Sequence, residues 1–262
     1  MSFEDRGYDG SHGQGHNNDW NDQSNGGGYA ATAQQYQAAR TAGQVGVDER
    51  MAFIRRTYAH LAGAVGLFLL LEVLLFTSGA FKAILPLMIG YKYSWAVVLA
   101  LFIGGGMLAE RWALNSESTA MQYLGLGAYS TLWAVIFVPM IYMALATAPA
   151  AIPSAAGVTL LVFGGLTAFV FVTKQDFSFL RTALVVASLL AFGGIAASIF
   201  LGFHLGIWFS VFMVGLASIS ILYNTSNVLH KYRTDQHVGA ALGLFASVAL
   251  LFWYVLSIFM GE

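Results

Sequence analysis

Apolar side chains dominate the chain from Tyr58 to its end, and the interruptions are charges, prolines and glycines. Between them lie seven apolar runs of about 20 residues, the length of helix that crosses a hydrocarbon core of roughly 30 Å. The connections are short, so successive helices are expected to be antiparallel neighbours. We therefore predict an all-α membrane protein, a seven-transmembrane-helix bundle. The predicted spans are 58–78, 94–113, 121–145, 151–173, 179–200, 205–229 and 237–260.

Residues 1–47 have a different pattern, dominated by Gly, Asn, Gln, Asp and Ser with no hydrophobic period. Such a segment buries too little apolar surface to offset its ordering entropy, so we predict a disordered polar tail before a transmembrane domain over 48–262. The tail has no apolar core of a signal peptide, and the first span is expected to be retained. His12 and His16 are interpreted as solvated spacers rather than a metal site.

Composition supports the membrane assignment and excludes several classes of function. Apolar residues make up 58% of the chain and charged residues 10%, against about 25% charged in ordinary soluble domains. The net charge of −1 gives no electrostatic footprint for nucleic acid. With no cysteine, disulfides, cysteine–zinc sites and thiol catalysis are excluded. No cofactor or metal motif is present, so we expect neither group.

The positive charges predict the orientation, because cytoplasmic loops retain Lys and Arg. When the predicted spans are threaded through the membrane, only Lys82 and Lys92 fall on one side of it. The N-terminus is therefore predicted to be cytoplasmic, in a multi-pass protein of the inner membrane, with the C-terminus outside unless the seventh span is re-entrant. Nine charges fall on the other side: Arg40, Arg50, Arg55, Arg56, Arg111, Lys174, Arg181, Lys231 and Arg233.

Familiar classes of seven-helix protein do not fit. A retinal protein needs a lysine in its last helix, but there is none between His237 and Met260. Receptor topology places the N-terminus outside, against the charge bias. The Gly-x-Ser and Gly-x-Gly-Asp strings of intramembrane proteases are absent, so we predict that the chain is not an enzyme.

Glu72 is the carboxylate deepest within a predicted span. Because ionised groups are costly there, it is expected to be neutral or paired with a cation from another helix. Two interpretations stay open: a proton or cation relay, or a neutral hydrogen-bonded group that fixes packing. His60 is rotated by about 120° from Glu72 and is expected to be interfacial.

A polar stripe on the sixth span has a counterpart on the seventh. Asn224 and Ser247 lie at similar depths, about 10–15 Å from the cytoplasmic side, so they are predicted to be able to face each other. They form either an ordinary interhelical hydrogen bond or part of a pore or gate. The stripe comprises Ser220, Asn224, Asn227 and Lys231, and the matching face comprises Gln236, Ala240, Gly243, Ser247, Leu251 and Tyr254.

Four charged residues mark the predicted cytoplasmic face. Glu110 and Arg111 end the second span, where a charge pair is more often a snorkelling anchor than a gate. Asp176 and Asp235 lie in loops. They are interpreted as helix caps or as partners of Lys174 and Arg233, with a functional role as the alternative.

Four segments between residues 50 and 262 resemble the Bax inhibitor-1 family. Residues 173–180 are similar to its Thr-x-x-Asp-x-Ser-Phe-Leu joint between the fourth and fifth helices. Residues 222–227 with His230 resemble the end of its sixth helix, and residues 240–245 resemble the start of its seventh. Residues 137–139 match the proline position of its third helix. The resemblance implies a bundle whose last helix is central.

The resemblance also implies a function, a calcium leak regulated by pH through an aspartate pair on the last two helices. Here those positions are Asn224 and Ser247, which carry no acid. We therefore expect an ion-permeability protein without the acid latch, with calcium or protons as candidate ions. Some bacterial relatives instead modulate a membrane-bound protease. The alternative is thus a non-conducting partner of a protease or another membrane complex, acting through its cytoplasmic face.

Overall fold

The computed structural model describes residues 40–90, 93–115 and 118–261. Residues 1–39, which include most of the predicted tail and both of its histidines, lie outside these ranges, as does Lys92. Within them, seven helices are long and apolar enough to span a membrane, which confirms the predicted all-α bundle. The helices are α1 Val47–Thr77, α2 Phe81–Ile89, α3 Ser94–Ala113, α4 Thr119–Thr147, α5 Ala151–Thr173, α6 Leu180–Leu201, α7 Gly206–His230 and α8 His237–Met260.

The predicted spans match these helices within two residues at every end but one. α1 begins at Val47 rather than at Tyr58, because its first turns are too charged to register as apolar. Asp48 and Glu49 in the first turn favour a helix start, since they complement the positive end of the helix dipole. The short α2 was missed because nine residues containing Pro86 give no spanning signal.

α8 is the central helix of the bundle. It packs against α1, α3, α4, α5 and α7, whereas α6 packs on α7 and α3. Small residues such as Gly239 and Ala240 let its neighbours approach, and Phe245 contacts both Phe68 of α1 and Tyr129 of α4. This confirms the central placement of the last helix.

The segment before α1 packs on the loop between α7 and α8. Thr41 forms an isolated antiparallel bridge with Arg233, and the Ala42 amide donates to the Tyr232 carbonyl at 2.8 Å. Arg50 donates to the Ala42 carbonyl at 2.7 Å, and Ala42 is fully buried. Residues 40–46, which the sequence places in the polar tail, are therefore ordered here, because Arg50 and the loop supply the partners that their backbone needs.

One end of the bundle collects this segment, Leu114 and the loops 174–179 and 231–236. We call it the basic side, because it is the side that carries most of the Lys and Arg residues. The sequence predicts that this side faces the cytoplasm.

Candidate functional site

A cluster of neutral polar groups joins α7 to α8 within the membrane-spanning part. Asn224 Nδ2 lies 2.9 Å from Ser247 Oγ, 3.1 Å from the Gly243 carbonyl oxygen and 3.3 Å from Ser220 Oγ. The Ser220 and Ser247 hydroxyls are 2.8 Å apart, and Ser247 Oγ also donates to the Gly243 carbonyl. The structure thus brings Asn224 and Ser247 together, as their depths predict. The α7–α8 joint, as we call Ser220, Asn224, Gly243 and Ser247, contains no ionisable group.

The joint forms one wall of a cavity of about 470 Å³ between α3, α4, α7 and α8, which we call the central cavity. Glu110 of α3 is the single carboxylate among the described residues that line it. The remaining polar lining consists of hydroxyl, amide and indole groups, so the cavity is wettable but carries little charge. The lining is Glu110, Leu114, Tyr129, Trp133, Ser220, Tyr223, Asn224, Asn227, Tyr232, Gly239, Leu242, Gly243, Ala246, Ser247 and Leu250.

Two further cavities continue the central cavity along the bundle. A vestibule of about 570 Å³ opens towards the basic side and contains Arg181 and Lys231. An outer cavity of about 590 Å³ lies towards the opposite end and is mostly apolar, with Ser210 and Ser257 among its polar residues. The lining residues that adjacent cavities share are Leu114, Tyr223, Asn227 and Tyr232 on the vestibule side, and Trp133 and Leu250 on the outer side. We call these two sets the inner and outer necks.

The structure separates Glu72 from the other candidate pore residues. Asn224, Asn227, Ser220 and Ser247 all line the central cavity, but Glu72 does not. Its side chain is buried, with 8% of the residue exposed, and neither carboxylate oxygen has a hydrogen-bond partner in the described part of the chain.

His60 lies at a different contact between helices. Its ring stacks on Tyr123 of α4 and meets His237 of α8 edge-on, with ring centroids 5.3 and 4.9 Å apart. His60 Nε2 also lies 3.2 Å from the Tyr123 hydroxyl. His60 therefore links α1 to α4 and α8 near the basic side.

The loop acids form ion pairs, one of them with an unexpected partner. Asp235 pairs with Arg233 at 3.1 Å, as the sequence suggests. Asp176 pairs with Lys231 at 3.5 Å rather than with Lys174, which is the left-handed C-cap residue of α5. The backbone amide of Ser178 donates to Asp176 and, with Lys231 adding a smaller effect, holds the pKa of Asp176 below its usual value.

That shift fixes the pH range in which the Asp176 contacts persist. An acid whose pKa is lowered by folding stabilises the folded state above its unfolded pKa, and the effect is lost as the pH falls through the folded pKa. Asp176 therefore stays ionised around neutral pH. The exposed pair with Lys231 contributes little to stability, as is usual for surface ion pairs.

Three aromatic residues of the central cavity were not singled out from the sequence. Tyr129 and Trp133 are four residues apart on one face of α4. Because α4 is apolar on its other faces as well, its sequence pattern does not distinguish the face that lines the cavity. Tyr232 lies beyond the end of α7, so helical spacing gives no information on its direction. The three rings line the cavity beside Glu110.

A family model described as "Inhibitor of apoptosis-promoting Bax1" matches residues 50–262. An uncharacterized protein of Helicobacter pylori is 26% identical over 216 residues, covering 80% of this chain and 87% of the relative. An uncharacterized membrane protein of Vibrio cholerae is 30% identical over 209 residues, covering 73% and 85%. The Escherichia coli protein named "Modulator of FtsH protease YccA" is 36% identical over 110 residues, which cover 41% of this chain and 49% of that relative.

Proposed function

The chain belongs to the Bax inhibitor-1 family, and from this membership we propose that it controls the permeability of the inner membrane to small cations. The observation that carries the proposal is the central cavity. It holds hydrogen-bonding groups at membrane depth, where polar groups are costly and usually mark a path or a binding site. The vestibule and the outer cavity extend it towards the two sides, so that a passage needs only the two necks to widen.

The α7–α8 joint is the proposed lock of the closed state. Each of its bonds links neutral groups, and Asn224 Nδ2 contacts three oxygens on the two helices. Separation of α7 from α8 would leave these groups without the partners they have in the closed state, which costs free energy. The lock therefore depends on hydrogen bonds rather than on a titrating acid pair.

Asn224→Ala is expected to increase calcium leak through the reconstituted protein. The change removes the amide that bridges the helices, and a loss of about 1–2 kcal/mol from the closed state shifts a two-state population by roughly 5–30-fold. The measurement is calcium entry into reporter-loaded liposomes between pH 6 and 8. The wild-type joint is expected to contribute no pH step in this range, because neither side chain titrates there.

Ser218→Ala is the matched control for this experiment. Ser218 also lies on α7, but its hydroxyl donates at 2.8 Å to Val214 of the same helix and makes no bond to α8. Its leak should equal that of the wild type. A steep pH step in the wild type that disappears in Asn224→Ala would contradict the neutral lock.

A second candidate function is modulation of a membrane-bound protease such as FtsH. The name of the Escherichia coli relative favours it, and so does the ordered segment 40–46 on the basic side. The Thr41–Arg233 bridge holds this segment against the loop between α7 and α8. A partner on that side of the membrane would meet the segment 40–46 together with the loops 174–179 and 231–236.

Deletion of residues 2–39 is expected to remove protease modulation without changing calcium leak. The deletion spares Ala42 and Arg50, so the packed segment and the start of α1 keep their contacts. The readout is the half-life of a membrane substrate of FtsH in cells that express either form. An unchanged half-life in the deletion, together with a changed one in Asn224→Ala, would locate the effect in the bundle and contradict a role for the tail.

A further inference from the structure

Glu110 places a negative charge in an otherwise neutral cavity. It lies in the last turn of α3, and its side chain lines both the central cavity and a smaller side opening of about 210 Å³ bounded by Gly106, Tyr129 and Leu242. The neighbouring Arg111 lines neither space. The two residues are therefore not equivalent as an anchoring pair, because only Glu110 lines the same cavity as the α7–α8 joint.

The hydrogen bonds of Asn224 determine which way its amide points. A carbonyl oxygen only accepts, so the amide group beside the Gly243 carbonyl must be the NH₂. This leaves Asn224 Oδ1 on the other side, with no hydrogen-bond donor among the described residues. The oxygen is thus free to accept from water or to bind a cation.

Gly243 leaves a gap into which two oxygens point. A Cβ atom built on Gly243 would lie 3.4 Å from Asn224 Oδ1 and 3.4 Å from the Tyr232 hydroxyl oxygen. Both oxygens therefore border the same small space. Because the glycine has no side chain, this space is part of the central cavity.

Tyr232 borders this gap, and it lines the central cavity together with Glu110. A tyrosine hydroxyl remains protonated at physiological pH. Tyr232 therefore offers a neutral oxygen to the cavity that Glu110 also lines, rather than a second negative charge.

We propose that Glu110, Asn224 Oδ1 and the Tyr232 hydroxyl form a binding site for a hard divalent cation in the central cavity. This site deepens the proposed function and rests on it for its role in transport. Hard cations such as Ca²⁺ take carboxylate and amide oxygens, which Glu110 and Asn224 supply, and complete their coordination with water. The carboxylate comes from α3, so the site does not need acids at residues 224 and 247.

The donor set makes the site weak. No group of three or more His, Asp or Glu side chains in the described part of the chain is arranged to hold a metal ion. A single carboxylate with neutral oxygens is expected to give a dissociation constant of roughly 10⁻⁴–10⁻³ M, since ligand charge sets calcium affinity. Weak binding suits a permeation site, because the ion must also leave it.

The test uses Tb³⁺, which takes the same oxygen ligands as Ca²⁺ and luminesces when a nearby aromatic ring transfers its excitation. Tyr129 and Trp133 line the same cavity as Glu110. Titration of the full chain in detergent is expected to give a luminescence signal that Ca²⁺ competes away. Glu110→Gln should weaken Tb³⁺ binding by roughly tenfold or more, because it removes the only charged ligand.

Two further variants and one control locate the bound ion within the bundle. Gly243→Ala fills the gap with a methyl group that the surrounding distances allow, and it should weaken Tb³⁺ binding while the bundle stays folded. Glu110→Asp keeps the charge and should retain part of the affinity. The control is Glu49→Gln, since Glu49 binds Thr234 on the basic side and does not line the cavity.

The outcomes distinguish this site from the proposed function. Equal Tb³⁺ affinity in the wild type and Glu110→Gln overturns the site, whatever the liposomes show. A loss of affinity in Glu110→Gln and Gly243→Ala, with none in Glu49→Gln, supports it. If that loss is found and no calcium crosses the liposome membrane, the site stands and the proposed permeation fails.

Discussion

Gly125→Ala is expected to separate α3 from α4 and destabilise the bundle. A Cβ atom at residue 125 would lie 2.5 Å from the Ala109 carbonyl oxygen and 2.5 Å from the Ala113 amide nitrogen. Both are backbone atoms of α3, so no side-chain rotation relieves the clash. Overpacking of this kind lowers the free energy of unfolding by about 1–3 kcal/mol. We expect a value near the upper end of this range, because backbone atoms adjust less readily than side chains.

The same change is expected to raise calcium leak. Glu110 follows Ala109 on α3, so displacement of that helix moves one wall of the central cavity and loosens the inner neck at Leu114. The measurements are the thermal unfolding midpoint in detergent and calcium entry into liposomes. A midpoint several degrees lower, with a faster leak, is the expected pair of results.

Gly127→Ala is the control, because it adds the same methyl group to the same helix. Nothing lies within 4 Å of a Cβ atom at residue 127, and alanine has the higher helix propensity. Its unfolding midpoint should equal or exceed that of the wild type. If Gly125→Ala were as stable as Gly127→Ala, the close α3–α4 contact would be wrong.

Asn224→Asp combined with Ser247→Asp is expected to make the leak strongly pH-dependent. The two positions place polar atoms 2.9 Å apart, and two carboxylates at that separation share one proton because both do not ionise readily. At low pH the shared proton forms a hydrogen bond that holds α7 to α8. As the pH rises the proton is lost, and the repulsion favours the open state.

The expected size of this effect is large. Two like charges 4 Å apart repel by about 4 kcal/mol at an effective dielectric constant of 20, far more than one neutral hydrogen bond contributes. Calcium leak should therefore increase at least tenfold between pH 6 and pH 8, since about 1.4 kcal/mol already gives a factor of ten. The direction follows from the stability of the closed state, which is present while the pair is protonated and lost on its ionisation.

Each single substitution serves as a control for the pair. Asn224→Asp alone and Ser247→Asp alone place one acid beside a neutral partner, so the repulsion between two carboxylates is absent. Their pH profiles should be much flatter than that of the double variant. A flat profile in the double variant would mean that residues 224 and 247 do not meet at the barrier to ions.

The sequence alone predicts the membrane spans and the wall of the central cavity that α7 and α8 form. Ser220 and Asn224 are four residues apart, which places them on one helical face, and counting from the basic side put Asn224 and Ser247 at the same depth. The hydrogen bond between Asn224 and Ser247 confirms that helical spacing and depth together predict which residues of α7 and α8 meet. Periodicity and depth suffice here because α7 and α8 are sequential antiparallel neighbours with a short connection.

Helical spacing and depth do not predict the opposite wall of the central cavity, which includes α3 and Tyr232. The residues of α3 before Glu110 are apolar on every face, so the sequence does not show which face of α3 borders the cavity. The rotation of α3 about its axis depends on how it packs against α4, including the close contact at Gly125. Tyr232 and the partner of Asp176 depend on the path of a loop rather than on a repeating pattern. Residues 40–46 have the composition of the tail, and only the contacts of Arg50 and the Arg233 loop distinguish them.

The uncharged character of the α7–α8 joint separates its response to salt from that of the loops. Added salt screens exposed charges over a Debye length of about 8 Å at 0.15 M, so the Asp176–Lys231 and Arg233–Asp235 pairs weaken as ionic strength rises. The neutral bonds among Ser220, Asn224 and Ser247 have no net charge to screen. A rise in ionic strength therefore loosens the periphery of the basic side while the barrier inside the bundle keeps its strength.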